Sequence, residues 1–344
     1  MSGPVVVSLA DYGVAPGGSA DDTAALLAWS QAVAAAVAAG RGCVAYVPPG
    51  VYITAQTLNG LLDTGVVLQG AGVASSVIRL KNGAGVPLMQ TVGFAANTGT
   101  KNPGPHQFAI QDITLDGNGP NNAAVGSWTV QIYGYGYTVR NANFLNGAQG
   151  NVYSEWGNDG AVASNFNIGI EAKWDCFRIG QAVGLASPQP CYGLWVKGPP
   201  NSMFSNGTIW TFSAEHASQG PSYGLLDDSG SSANQYSNIH VYGRHHFAIA
   251  STASGQFVGC QSEGASVANV AFCSYDCTWT GGTVYGTNGN GGTQPNEVGF
   301  MLGTPKGTLA ATQDMIAGSP QGCAIQGVNL HAFTSPGAAF AGSN

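Results

Sequence analysis

Apolar residues recur at helical spacing near the start of the chain, where Leu26, Trp29, Val33 and Val37 fall on one face. Ahead of them, Ser19-x-x-Asp22 has the form of a capping box, and Gly40 stands where a left-handed terminating residue is wanted. One helix is therefore expected between these signals. The period then shortens to two, and "CVAYVPPGVYIT" (43–54) reads as strand, Pro-Pro-Gly turn and strand. No comparable helical pattern follows.

What recurs instead is a short apolar phrase with Asp, Asn or Gly at its centre. The central residues are Asp112, Asn141, Asn165, Asn206, Asn238, Gly259, Gly281 and Gly327, spaced by 29, 24, 41, 32, 21, 22 and 46 residues. A base period near 22 with insertions is the mark of a solenoid whose coils stack on one another. A second strand type lies between the phrases, in segments such as "VYSEW" and "GLWVKG". Aligning these segments puts Val152, Ile170, Leu194, Leu225, Ala248, Ala271 and Phe300 inward. Glu155, Lys173, Lys197, Asp228, Ser251, Ser274 and Gly303 then form an outward column. A slip of one residue would invert any rung.

Composition narrows the partners. Ten basic residues against seventeen acidic ones, with no Lys/Arg run, argue against nucleic acid and against an anionic membrane surface. The apolar stretch near Val33–Ala39 is too short to span a bilayer. "MSGPVVVSLADYG" lacks the charged and apolar regions of a signal peptide. The seven cysteines are irregularly spaced, and Cys273-x3-Cys277 fits neither a zinc knuckle nor a redox pair, so buried free thiols are expected.

The stretch "DYGVAPGGSADDTAALLAWSQAVAAAVAAGRGCVAYVPPGVYIT" (11–54), followed by "VVLQGAGVASSVIRL" (66–80), resembles the pectate-lyase-like superfamily. The likeness covers about the first eighty residues, and the coil pattern continues beyond them. It implies an all-β fold: a single-stranded right-handed parallel β-helix with an N-terminal capping α-helix. One domain over residues 1–344 is expected, with cap and first strands at 11–55, coils at 56–335 and a tail at 336–344. The superfamily includes polygalacturonases, pectate lyases, epimerases and phage tailspike depolymerases. The resemblance therefore implies a polysaccharide partner, an extracellular or virion-associated setting and a homotrimer.

Asp11, Asp21 and Asp22 cluster within twelve residues in a chain with few charges. Paired carboxylates can share acid and base roles, but these lie at a helix start that would lid the solenoid, and they are assigned to architecture. "QGAG" (69–72) lacks the third glycine and the following helix of a dinucleotide fingerprint. The recurring Asn phrase reads as a structural hydrogen-bonded ladder.

The outward column is the candidate site. Glu155, Glu171 and Asp228 form the carboxylate pool for acid and base roles. Tyr153, Trp156, Lys173, Trp195, Lys197, Glu215, Arg244 and His246 are candidates for substrate binding. On successive coils with a two-residue offset, Glu155 and Glu171 would stand roughly 8 Å apart, the separation of an inverting hydrolase. Neighbouring His245 and His246 point to opposite faces of a strand, so no metal site is expected, and no cofactor is called for. Glycoside hydrolysis is the leading reading. A lyase would use Lys173, Lys197, Arg244 or His246 to neutralise a uronate, and a non-catalytic glycan-binding spike is the third alternative.

Overall fold

A computed structural model of the chain describes residues 4–100, 102, 104–122, 126–156, 170–180, 191–212, 222–229, 233–273, 276–286, 298–303, 322–331 and 340–342. The strands are joined in parallel ladders as a right-handed parallel β-helix, and two compact units are distinguished, Met1–Arg178 and Ile179–Asn344.

In the first unit the expected helix, α1, spans Thr23–Ala38. Leu26, Trp29 and Val33 are fully buried, and Trp29 Nε1 donates to Val7 O at 2.9 Å. Gly40, at φ +70°, ends the helix with its N–H on Val37 O at 2.8 Å. The capping box does not form. Asp22 occupies the N-cap position without bonding a helix amide, and its carboxylate instead accepts from Ala15 N at 2.8 Å and Ile53 N at 3.2 Å. The buried Asp22 thus ties the preceding loop to the strand Gly50–Thr54. Asp21 takes the helix-start role, accepting from Thr23 N at 3.1 Å.

One ladder of this unit runs through Cys43–Val47, Val66–Gly70, Ala109–Asp116 and Thr138–Leu145. Its inward column is Ala45, Leu68, Ile110 and Val139, all fully buried. The other runs through Leu58–Leu62, Met89–Thr91, Trp128–Tyr133 and Gly150–Glu155, with Met89, Val130 and Val152 inward. At the bend of the first ladder Asp112 and Asn141 take φ of 56° and 46°, a conformation that Asn, Asp and Gly tolerate best. Asn141 Nδ2 donates to Asp112 Oδ1 at 2.7 Å.

The rung beyond Asn141 is Cys176, at φ 53° in the strand Lys173–Gly180. Lys173 N donates to Tyr137 O, as Thr138 N donates to Phe108 O one coil earlier. Lys173 therefore sits beside Thr138, and Cys176 beside Asn141. Asn165 lies outside the described residues.

In the second unit Asn206, Asn238, Gly259, Gly281 and Gly327 all take the left-handed φ expected of the phrase. The inner side of that ladder is an aromatic stack of Phe204, Tyr236, Phe257 and Trp279, with successive centroids 4.9, 4.7 and 5.8 Å apart. The other ladder aligns Leu194, Leu225, Ile249, Val270 and Phe300. The expected inward Ala248 and Ala271 are each one residue off this column. Every residue of Tyr223–Asp227 is buried, as are both alanines, so hydropathy cannot tell one face from the other. Among the cysteines, Cys176 is exposed, Cys323 half-buried and the other five buried.

Candidate functional site

Glu155 ends the strand Gly150–Glu155 of the first unit, paired with Tyr133. Its carboxylate accepts from Thr98 Oγ1 at 2.6 Å, Gly99 N at 2.8 Å and the Tyr153 hydroxyl at 2.6 Å. Thr98 and Gly99 follow a short helix, α2, at Phe94–Asn97. Phe94 and Trp128 both meet the Tyr153 ring edge-on, at 6.0 and 5.6 Å. Tyr133 adds a second clasp, its hydroxyl donating to Thr100 O and Asn102 O. Glu155 thus fastens a loop across its own ladder.

Glu171 does not stand on the next coil, as the aligned segments had it. Gly134 N donates to Glu155 O and Gly136 N donates to Ile170 O, each at 3.0 Å. Residues 155 and 170–171 therefore border one corner of the preceding coil, Gly134–Gly136, and belong to the same coil as each other. Lys173 opens the strand paired with Thr138–Leu145, so it leaves Glu155's ladder for the neighbouring one. At that corner Tyr135 stacks on His106 with centroids 5.0 Å apart and lies 6.3 Å from the Trp156 ring. Trp156 Nε1 is buried and has no hydrogen-bond partner among the described residues. Burial raises the Tyr135 phenol above its ordinary pKa. His106 and Tyr135 were not among the sequence candidates; the "YGYGY" run at 133–137 advertised Tyr135, and no comparable signal marked His106.

In the second unit Asp228 N donates to Val196 O, which sets Asp228 beside Lys197, as the outward column requires. Trp195 Nε1 donates to Asp228 Oδ2 at 3.3 Å, and Lys197 Nζ stands 5.0 Å from the Trp195 ring centroid. Tyr192 stacks on Trp195 at 4.5 Å; burial pushes its phenol up to about 12. The next rung is Thr252, which donates its hydroxyl to Asp228 Oδ1 at 2.8 Å. Ser251, expected there, is buried and pairs with Asp227 instead. Cys273 N donates to Ser251 O, so Cys273 takes the rung expected for Ser274, which lies outside the described residues.

Asp227 is wholly buried, held by the Ser229 hydroxyl at 2.6 Å and Asn234 Nδ2 at 3.1 Å, and burial raises its pKa to about 6. His245 is buried, and burial lowers its pKa to about 3. The half-buried His246 accepts from Ser222 N at 3.0 Å through Nδ1, which puts the proton of the neutral ring on Nε2. Burial also lowers its pKa. Glu215 and the Arg244 side chain lie outside the described residues.

Stacked coils, the α1 cap and the left-handed rungs define the class: the chain is a parallel β-helix, and its N-terminal part is similar to the pectate-lyase-like superfamily. More narrowly, residues 6–107 match the family described as Rhamnogalacturonase A/epimerase, pectate lyase-like. Two curated relatives are mannuronan C5-epimerases of Azotobacter vinelandii. AlgE4 is 37% identical over 124 residues, which are 34% of this chain and 21% of that protein. AlgE1 is 35% identical over 131 residues, 36% of this chain and 9% of that protein. The chain thus matches less than a quarter of either relative's length. Among solved structures, the enzymatically active domain of bacteriophage CBA120 tailspike protein 2 superposes with TM-score 0.59 at 10% identity, over 96% of this chain and 43% of that one. The Dettilon tailspike protein gives TM-score 0.53 at 14% identity, over 86% and 61%. At these identities the likeness concerns the fold.

Proposed function

We propose that the protein cleaves a polysaccharide by glycoside hydrolysis, at the coil that carries Glu155 and Glu171. The observation behind this reading is the grip of that coil on Gly134–Gly136, which sets the two glutamates at the corner holding the His106, Tyr135 and Trp156 rings. Carboxylates beside aromatic rings suit a pyranose, whose hydroxyls take hydrogen bonds and whose ring stacks on an aryl face. The Thr98, Gly99 and Tyr153 donors on Glu155 suit a carboxylate that orients water, and Glu171 is the acid for the leaving oxygen. The Trp195, Lys197 and Asp228 cluster of the second unit binds sugar.

Incubation with a panel of neutral and acidic polysaccharides tests this through the products. New reducing ends without ultraviolet absorbance, abolished in Glu171→Gln, support hydrolysis. No product of any kind from the panel would refute the reading.

One observation favours a second chemistry, proton abstraction from a uronate. Lys197 over Trp195, next to Asp228, offers a cation for a sugar carboxylate, and the curated relatives are named as epimerases of a uronate polymer. An unsaturated product, or an epimerised one without chain scission, would replace hydrolysis by this reading. The tailspike neighbours support a virion-associated or extracellular setting and a homotrimer, which light-scattering mass would test.

A further inference from the structure

The second unit carries a further outward row, on the ladder opposite that of Trp195. Strands Thr208–Phe212, His240–Ser251, Gln261–Glu263, Thr283–Tyr285 and Asn329–His331 stack in register. Ile209, Val241, Ser262 and Val284 point inward and are buried, so the positions on either side of them point out. The row one residue downstream reads Trp210, Tyr242, Glu263, Tyr285 and His331; the Val241–Ser262 pair sets Tyr242 beside Glu263. The strip is built in detail. The Trp210 indole lies across Gly180, where an added Cβ would meet ring carbons at 2.1 Å, and its centroid is 6.4 Å from that of Tyr242, the planes 19° apart. Tyr285 stacks on His331 at 5.3 Å. Between the two aromatic pairs, His240 Nε2 meets Glu263 Oε1 at 3.1 Å; the two side chains are 35% and 21% exposed. His240 also leans on the Tyr242 ring at 4.8 Å.

We propose that this strip is a glycan-binding site, separate from the reactive centre, that takes a neutral, hydroxyl-rich polysaccharide laid across the strands. At about 4.8 Å per rung the row is about 19 Å long, enough for several sugar rings. Its flanking row, Thr208, His240, Gln261, Thr283 and Asn329, supplies hydroxyl, amide and imidazole groups and no Lys or Arg. Charge selects the occupant. With Glu263 at its centre and a net charge of −7 on the chain, a polyanion is repelled, and nucleic acid lacks the cations it needs. Stacking along the row turns aromatic edges outward on either side of one hydrogen-bonded acid–imidazole pair, and apolar edges around a polar centre match the alternating C–H patches and hydroxyls of a neutral sugar chain.

The test is affinity electrophoresis of the full chain in gels cast with galactomannan, xyloglucan or dextran, and with polygalacturonate as the anionic comparison. Retardation by at least one neutral polymer is expected, weakened about tenfold in Tyr242→Ala or Tyr285→Ala. It should hold in Tyr242→Phe, which keeps the ring, and in Gln235→Ala, which lies off the strip. Circular dichroism melting identifies any alanine variant that fails to fold, and Glu263→Gln then serves in its place, with weakened retardation expected. Retardation that survives Glu171→Gln separates the strip from the reactive centre. No retardation by any neutral polymer, retardation by polygalacturonate alone, or folded Tyr242→Ala that binds like the parent would overturn the proposal. So would a light-scattering mass that halves or drops to a third in Tyr242→Ala, since the strip would then be an interface between copies of this chain.

Discussion

Asn141 donates its side-chain amide to the Asp112 carboxylate across 2.7 Å, and both residues hold left-handed backbone at the same bend of neighbouring coils. The bond and the bend are two separable contributions. Asn141→Ala removes the bond and puts an ordinary residue at φ 46°, at a combined cost of about 2 kcal/mol. Asn141→Gly removes only the bond and should cost about half as much. Urea midpoints of the two variants measure the difference. Equal midpoints would mean that the backbone contributes nothing.

That bend was legible because few residue types tolerate it, so Asp, Asn and Gly mark the coils even where spacing wanders. Cys176 holds the same conformation without belonging to those types, and its rung was missed. The inward column slipped at Ala248 and Ala271 for another reason: where both faces of a strand are covered, alternation disappears. Glu155 was legible as a candidate, but its partners were not. Thr98 and Gly99 lie 57 and 56 residues away, and only the stacking of coils brings them to its carboxylate.

The aspartates at the helix start divide by burial. Asp22→Ala leaves Ala15 N and Ile53 N without their acceptor inside the fold, and should lower stability by about 2–3 kcal/mol. Asp21 is exposed; Lys81 beside it, helped by the Thr23 donors, lowers its pKa to about 2, and Asp21→Asn should change stability little. Thermal melts rank the two. Glycan turnover per folded molecule should be unchanged in both, and its loss in Asp22→Ala with an intact melt would return the cluster to the chemistry.

Glu155 is both a clasp and a member of the proposed reactive pair, and exchange kinetics can separate the roles. In Glu155→Gln an amide replaces the carboxylate that accepts from Gly99 N, Thr98 and Tyr153. Hydrogen exchange at Gly99 should accelerate about tenfold or more as that bond weakens. Thr98→Val loosens the same loop and spares the carboxylate. If turnover falls in Glu155→Gln but not in Thr98→Val, the carboxylate itself is needed. Equal loss in both would reduce Glu155 to a positioning residue.

Asp227 makes the second unit's stability depend on pH. Burial raises its folded pKa from 3.8 to about 6, so the folded state holds the proton more tightly than the unfolded chain does. Its contribution is fully present below pH 3.8 and is lost as pH rises through about 6. His245 works the other way. Held neutral to about pH 3, it costs stability as pH falls below 6.5. The clean readout is therefore a difference: the stability of the parent minus that of Asp227→Asn should decline between pH 4 and pH 6 and stay level above. A difference that is flat across that window would mean that Asp227 is ionised in both states.

Lys197 and Trp195 make opposite demands on a ligand. The ammonium 5.0 Å from the indole centroid is attracted to the ring, and a sugar stacking there must share or displace it. An acidic sugar gains from sharing, because its carboxylate meets the cation while its ring meets the indole; a neutral sugar only loses the cation–ring contact. Lys197→Met keeps the aliphatic stem and removes the charge. For an acidic polymer KM should rise about threefold to tenfold with kcat nearly unchanged, and the rise should shrink as salt screens the charge. For a neutral polymer KM should stay level or fall. Trp195→Ala should raise KM for both, since it removes the platform. A fall in kcat with unchanged KM in Lys197→Met would move the lysine from binding into the chemical step, and with it the balance from hydrolysis toward proton abstraction at a uronate.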